Sequence, residues 1–199
     1  MSVKRLFKPV LILTLAGFVL TTSGFGQTRR NDLSVSYGVL SIDQMADVFT
    51  DVVTIVLTLG TFSKQDVKYT GVPFLTYHMS RNDRFGFGAA LGGYSSSGLL
   101  RVGDSDVGSF RERNIVAAAE LDYRWIMRPG FQLYSGLGFG LRYRHGTYDD
   151  GEETDTLNKV LPTFHINAIG LRFGKSVGFF LELGGGYKGV LSAGLNAQF

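Results

Sequence analysis

The chain has 199 residues, 27 of them glycine and 13% aromatic, with no cysteine and with 20 Lys+Arg against 17 Asp+Glu. That length suits one domain, and the lack of cysteine excludes disulfides and a lipid-modified cysteine at the N-terminus. Lys4, Arg5 and Lys8 fall within the first 26 residues; without them 17 Lys+Arg face 17 Asp+Glu, so charge offers no ground for a nucleic-acid partner.

Residues 1–26 have the form of a secretory signal, with Lys4, Arg5 and Lys8 ahead of an apolar stretch from Val10 to Leu20 and small residues at Gly24 and Gly26. The mature domain is then 27–199. Beyond the leader no stretch reaches the 18 or so uncharged apolar residues of a transmembrane helix, and mean hydropathy is only +0.10. A membrane β-barrel is compatible with such an average, because half of each strand faces inward and can be polar.

The first predicted strand, Leu33–Leu40, alternates Leu33, Val35, Tyr37 and Val39 with small or polar residues. Helical spacing follows. Met45, Phe49, Val52, Val53 and Val56 recur on one helical face, and Ser41 with Gln44 has the form of a capping box. This predicts a short helix in a long first loop that ends near Lys68, its apolar face covering the barrel mouth, lying at the lipid interface or meeting a partner. The second strand spans about Tyr69–Ser80 and turns at Arg81–Arg84 into a third, Phe85 to about Ser96. A polar loop is expected over Ser97–Glu112.

The fourth strand is the most regular: Ile115, Ala117, Ala119, Leu121, Tyr123 and Trp125 form one face, Val116, Ala118, Glu120, Asp122 and Arg124 the other. Arg128-Pro129-Gly130 makes a tight turn. The fifth strand, Phe131–Arg144, sets apolar residues against Gly136, Gly138, Gly140, Arg142 and Arg144. An acidic loop, His145–Asn158, carries Asp149, Asp150, Glu152, Glu153 and Asp155; these lack the spacing of a calcium loop, and no metal is expected there.

The sixth strand, about Lys159–Phe173, places Ile169, Leu171 and Phe173 outward and Arg172 inward, but Phe164 and Ile166 have the opposite parity. A bulge near Asn167 would reconcile the two halves. Two last strands, from Val177 and up to Phe199, close the pattern. Eight strands are predicted, with connections running long, short, long, short, long, short, short. Long loops on one side and tight turns on the other are the pattern of an up-and-down transmembrane barrel. A soluble β-sandwich, which would hide its apolar residues between two sheets, is the alternative.

The segments FQLYSGLGFGLRYR, AIGLRFGKSVGFFLELGGGYKG and the terminal GLNAQF resemble the small outer-membrane β-barrel domain family, the class of OmpX and the membrane part of OmpA. The first loop after SYG narrows the resemblance to members with a helical first loop. The resemblance implies an all-β, eight-stranded antiparallel barrel that is monomeric, exported through the periplasm and integral to the outer membrane. It also implies contact with outer-membrane lipids and insertion by the barrel assembly machinery, which recognises the terminal strand, here ending in Leu195 and Phe199. Activity is not implied, since the fold serves structural links, adhesins and lipid enzymes alike.

The inward parity collects Glu120, Asp122, Arg124, Arg142, Arg144, Arg172 and Glu182. Charges inside so narrow a barrel must be paired, so these are expected to form a Glu/Asp–Arg network across the fourth to seventh strands. That network would serve as a structural filling or, alternatively, as the constriction of a narrow channel. A lipid-modifying enzyme would need a serine activated by histidine; His145 and His165 are the candidates, but no Gly-x-Ser-x-Gly elbow accompanies them. The expectation is a non-enzymatic barrel without cofactor, with a structural or surface-interaction role and a surface partner that the sequence does not identify.

Overall fold

Alternating parity becomes a sheet that closes on itself. The computed structural model describes residues 31–41, 62–80, 84–102, 105–149 and 154–199. The expected signal segment and the loop helix carrying Met45, Phe49, Val52, Val53 and Val56 lie outside these residues.

Among the described residues the chain forms nine antiparallel strands: β1 (Asn31–Val39), β2 (Phe62–Tyr69), β3 (Val72–Ser80), β4 (Phe85–Val102), β5 (Ser105–Arg128), β6 (Phe131–Asp149), β7 (Thr154–Gly174), β8 (Val177–Gly186) and β9 (Leu191–Gln198). Consecutive strands from β3 to β9 pair with one another, β1 pairs with both β3 and β9, and the ring is complete. β2 pairs only with the far half of β4, just beyond where β3 leaves it. It therefore continues the β3 stave across a break at Thr70-Gly71, giving eight staves from nine strands.

The two ends of the ring differ. At one end Asn31 and Phe199 exchange backbone hydrogen bonds of 3.0 Å, and the turns at Gly130 and at Lys175-Ser176 lie there too. At the other end the structure corrects two expectations. The stretches read as loops, Ser97–Glu112 and His145–Asn158, are largely strand: the β4–β5 hairpin stays paired to Val102↔Ser105, and β6–β7 to Asp149↔Thr154. The first loop likewise gives way to strand at Phe62, before Lys68. In the sequence of these extensions polar residues fall on both parities, so no apolar period marks them as strand.

The parity conflict in the sixth predicted strand is resolved by a bulge. Ladder registers shift between Tyr134 and Gly136 on β6 and between Asn167 and Ile169 on β7. Ala168 is the extra residue, and it lets Phe164, Ile166, Ile169 and Phe173 all point outward. The Ser135 hydroxyl donates to the Ala168 carbonyl at 2.6 Å and accepts from the Trp125 indole at 3.0 Å, which ties the distortion to the neighbouring strand.

Burial is inverted relative to a water-soluble domain. Phe139 is 68% exposed, Leu195 65%, Val160 62% and Ile115 57%, whereas the charged inward side chains of β5, β7 and β8 are buried. Aromatic rings line the end of this apolar face nearest the tight turns, in the contacts Phe85–Tyr123–Trp125 and Phe131–Phe173–Phe179.

Candidate functional site in the barrel interior

The interior is layered, and β5 orders it. From the tight-turn end its inward residues run Arg124, Asp122, Glu120, Ala118, Val116, Asn114, Glu112 and Phe110, all buried. Two polar layers thus enclose an apolar one.

Glu120 is the centre of the first polar layer. Its carboxylate accepts from Lys188 Nζ at 2.7 Å and from the Tyr187 hydroxyl at 2.6 Å. His78 Nε2 lies 3.2 Å from the same carboxylate, while His78 Nδ1 lies 3.5 Å from Asp122. Asp122 is also 3.3 Å from Arg124 Nε on its own strand. Glu182 accepts from Tyr134 at 2.9 Å, Asn167 at 3.3 Å and Ser192 at 3.1 Å. Nearer the tight turns Arg172 donates to Asn196 at 2.9 Å and to the carbonyls of Gly174 and Lys175. Asp32 there accepts from Asn196 and Gln198, each at 2.7 Å. Glu120, Glu182 and Asp32 thus each accept at least two side-chain hydrogen bonds, the condition under which buried charge is tolerable. Asp122 Oδ1, by contrast, is buried without a hydrogen-bond partner, and Asp122 meets His78 and Arg124 only as close charges.

Lys188 and Tyr187 reach this layer by an unexpected route. They belong to the β8–β9 connection, at the end of the ring opposite the tight turns, yet both are buried. Gly186 and Gly189 take φ of +137° and +99°, a left-handed backbone open chiefly to glycine, and reverse the chain so that the connection folds down between the walls. Tyr187 lies tilted against Phe74 and His165, with ring centroids 5.3 Å and 5.2 Å apart. The wall gives way where it lands: a Cβ on Gly138 would lie 2.0 Å from the Tyr187 hydroxyl, and one on Gly38 would lie 1.8 Å from the Lys188 carbonyl. Val72, Phe74, Ala90, Tyr94, Val116 and Ala118 complete the apolar layer around Tyr187.

Beyond that layer, at the mouth, Arg144 pairs with Glu112, and Arg142 donates to the Tyr94 hydroxyl at 3.2 Å. Tyr148 donates to Glu112 at 2.6 Å. Its phenol is pushed up to about 12, first by burial and then by the adjacent carboxylate.

The seven charges read from the sequence thus fall into separate groups. Glu120, Asp122 and Arg124 are joined through His78 and by proximity on β5. Glu182 meets Tyr134, Asn167 and Ser192, and Arg172 sits near the tight turns. Arg142 and Arg144 lie at the mouth. Cross-strand Glu–Arg pairing occurs there, as Arg144–Glu112, while the cation on Glu120 is Lys188 rather than an arginine. Lys188 and Tyr187 were not identifiable from pattern, since Gly-Tyr-Lys-Gly reads as an ordinary turn. Glu112 was hidden in the stretch read as a loop.

Two voids beside the network, about 40 Å³ among Asp32, His78, Arg124 and Glu182 and about 20 Å³ among Glu120, His165 and Asn167, have room for little more than single waters. His165 is buried with neither ring nitrogen hydrogen-bonded, and the second void adjoins it. His145 lies at the mouth, its Nδ1 2.7 Å from Asn158 Oδ1. Leu195 is exposed on the outer face of β9, and Phe199 pairs with Asn31. No protein-family model matches the chain, and no curated protein matches its sequence.

Proposed function

We propose that this chain is an integral outer-membrane β-barrel protein, a monomer after export and signal removal, with a structural or surface-interaction role and an interior closed by its own side chains. The observation that carries this reading is the inversion of burial: large apolar residues on the outer face, ion pairs within. Soluble monomers rarely expose a contiguous apolar surface of that extent. On β5 the outward apolar run from Ile115 to Trp125 spans about 33 Å of strand, which at a tilt of about 40° is about 25 Å of height. That is the height of the apolar band of a membrane barrel.

Outer-membrane lipids are then the partner of the band, and the barrel assembly machinery would read the terminal strand at Leu195 and Phe199. The kinship with OmpX-like barrels is part of the same proposal. The geometry also favours a barrel that is not an enzyme, since His145 is engaged by Asn158 and His165 faces the Tyr187 ring.

A narrow channel is the second reading. One observation favours it: the layer around Glu120 is completed by a chain connection, Tyr187-Lys188, and displacing that connection would uncover a charged passage. Single-channel recording on the refolded mature chain separates the two, with folding checked by altered gel migration before boiling. A folded, silent barrel is expected; stable ion-selective openings would replace the closed reading with the channel.

A further inference from the structure

The outer face of the extended hairpins carries a second feature, unconnected with the interior. Along the ladders the outward residues lie in rows. Gly93, Ile115, Tyr143 and Val160 form the last apolar row. The next row on is Ser95, Arg113, His145 and Asn158, and the one after it Lys68, Ser97, Arg111 and Thr147. The change from apolar to polar takes one step of the pleat, and Arg113 and Arg111 stand in the two rows beyond it.

The surface is concave here. A groove of about 970 Å³ opens across β2 and β4 to β7, with Lys68, Arg111, Arg113, His145 and Asp149 among its lining residues. Arg111 and Arg113 follow one another on the same face of β5, and Lys68 is two strands from Arg111, about 10 Å away. Long basic side chains at that spacing can converge on one anion. Among the described residues, no acidic side chain forms an ion pair with Lys68, Arg111 or Arg113. Asp149 lines the same groove without pairing with any of the three, so their like charges repel one another, a cost that a bound anion would relieve.

We infer that this groove binds the phosphate of a lipid headgroup, with the acyl chains lying on the apolar face beneath it. The inference rests on the membrane placement proposed above. Arginine pairs give charge-assisted, often bidentate, hydrogen bonds to phosphate oxygens. A free phosphate ion would use the same donors, but only a lipid also uses the exposed Ile115, Tyr143 and Val160 in the row below. Basic residues just outside a membrane are an established route to anionic lipid recognition.

The test uses the mature chain folded in phosphatidylcholine nanodiscs containing a minor fraction of phosphatidic acid, with protein-bound lipid counted by native mass spectrometry. Phosphatidic acid should be enriched over phosphatidylcholine on the wild-type barrel. The triple variant Lys68→Gln/Arg111→Gln/Arg113→Gln should lose about tenfold or more of that enrichment while still migrating as a folded barrel. The charge-keeping variant Arg111→Lys/Arg113→Lys should retain most of it. Equal enrichment in the triple variant would overturn the inference, and so would release of the lipid by inorganic phosphate at millimolar concentration, which would mark a site for the free ion. A chain that stays out of the discs contradicts the membrane placement itself, and that failure is visible before any lipid is counted.

Discussion

Lys188→Met keeps most of the side-chain length and removes the charge that faces Glu120. At 2.7 Å and an effective dielectric of 20, the lost Coulomb attraction is about 6 kcal/mol, an upper bound because the ammonium no longer has to be desolvated. Breaking a buried pair from one side costs about 3–5 kcal/mol. Glu120 keeps the Tyr187 hydroxyl at 2.6 Å and His78 at 3.2 Å, so the low end, about 3 kcal/mol, is expected. Adding Glu120→Gln removes the stranded charge, and the double variant should recover about 2 kcal/mol relative to the sum of the single changes. The assay is reversible urea unfolding in lipid vesicles, followed by the fluorescence of Trp125, the only tryptophan. A loss below about 1 kcal/mol, or additivity within about 0.5 kcal/mol, would refute the claim that this pair organises the interior.

Other changes probe the same account from different sides. Gly138→Ala pushes a methyl group into the Tyr187 hydroxyl, 2.0 Å from its ideal position; it should cost about 1–3 kcal/mol and raise the frequency of conducting events, and a silent variant of wild-type stability would show that Tyr187 is not held in place there. Phe139→Arg, on the outer face opposite Ala119, should cost about 2–4 kcal/mol in a bilayer, whereas Arg113→Gln should change stability by less than about 0.5 kcal/mol; a neutral Phe139→Arg would place that face in water. The Tyr148 phenol, raised to about 12, favours the folded mouth fully below its unfolded value of about 10 and loses that contribution as pH rises through about 12. Its own ring NMR signal should titrate at lower pH in Glu112→Gln, and an unchanged midpoint would remove Glu112 as a cause.

The ring could be read from the chain wherever one face met apolar surroundings. Ile115 to Trp125 and Phe131 to Tyr143 alternate because one side is largely exposed and apolar and the other largely buried and polar, small or glycine, apart from Val116, and a one-residue slip would exchange those faces. Even the bulge left a trace, since Phe164, Ile166 and Ile169 cannot share a face without an extra residue. The outer hairpins left none: Arg111, Glu112, Arg113 and Asn114 are polar on both sides, and polarity without period reads as loop.

The interior was legible only in part, for a different reason. Parity says which way Glu120 and Arg142 point, but not which partners come within reach, because that depends on strand shear. Tyr187 and Lys188 lie outside any strand, so parity says nothing of them; their inward course follows from the backbone of Gly186 and Gly189 and from the space left at Gly138 and Gly38.

The central claim is that the outer face between Ile115 and Trp125 lies in lipid. The most direct measurement is the depth of a tryptophan in vesicles of brominated phosphatidylcholine, comparing native Trp125 with the single-tryptophan variant Trp125→Phe/Phe139→Trp. The account predicts that bromines near the chain ends quench the tryptophan at 139 most strongly, and that bromines close to the headgroups quench Trp125. Quenching of both by aqueous iodide, with no effect of brominated chains at any depth, would contradict it.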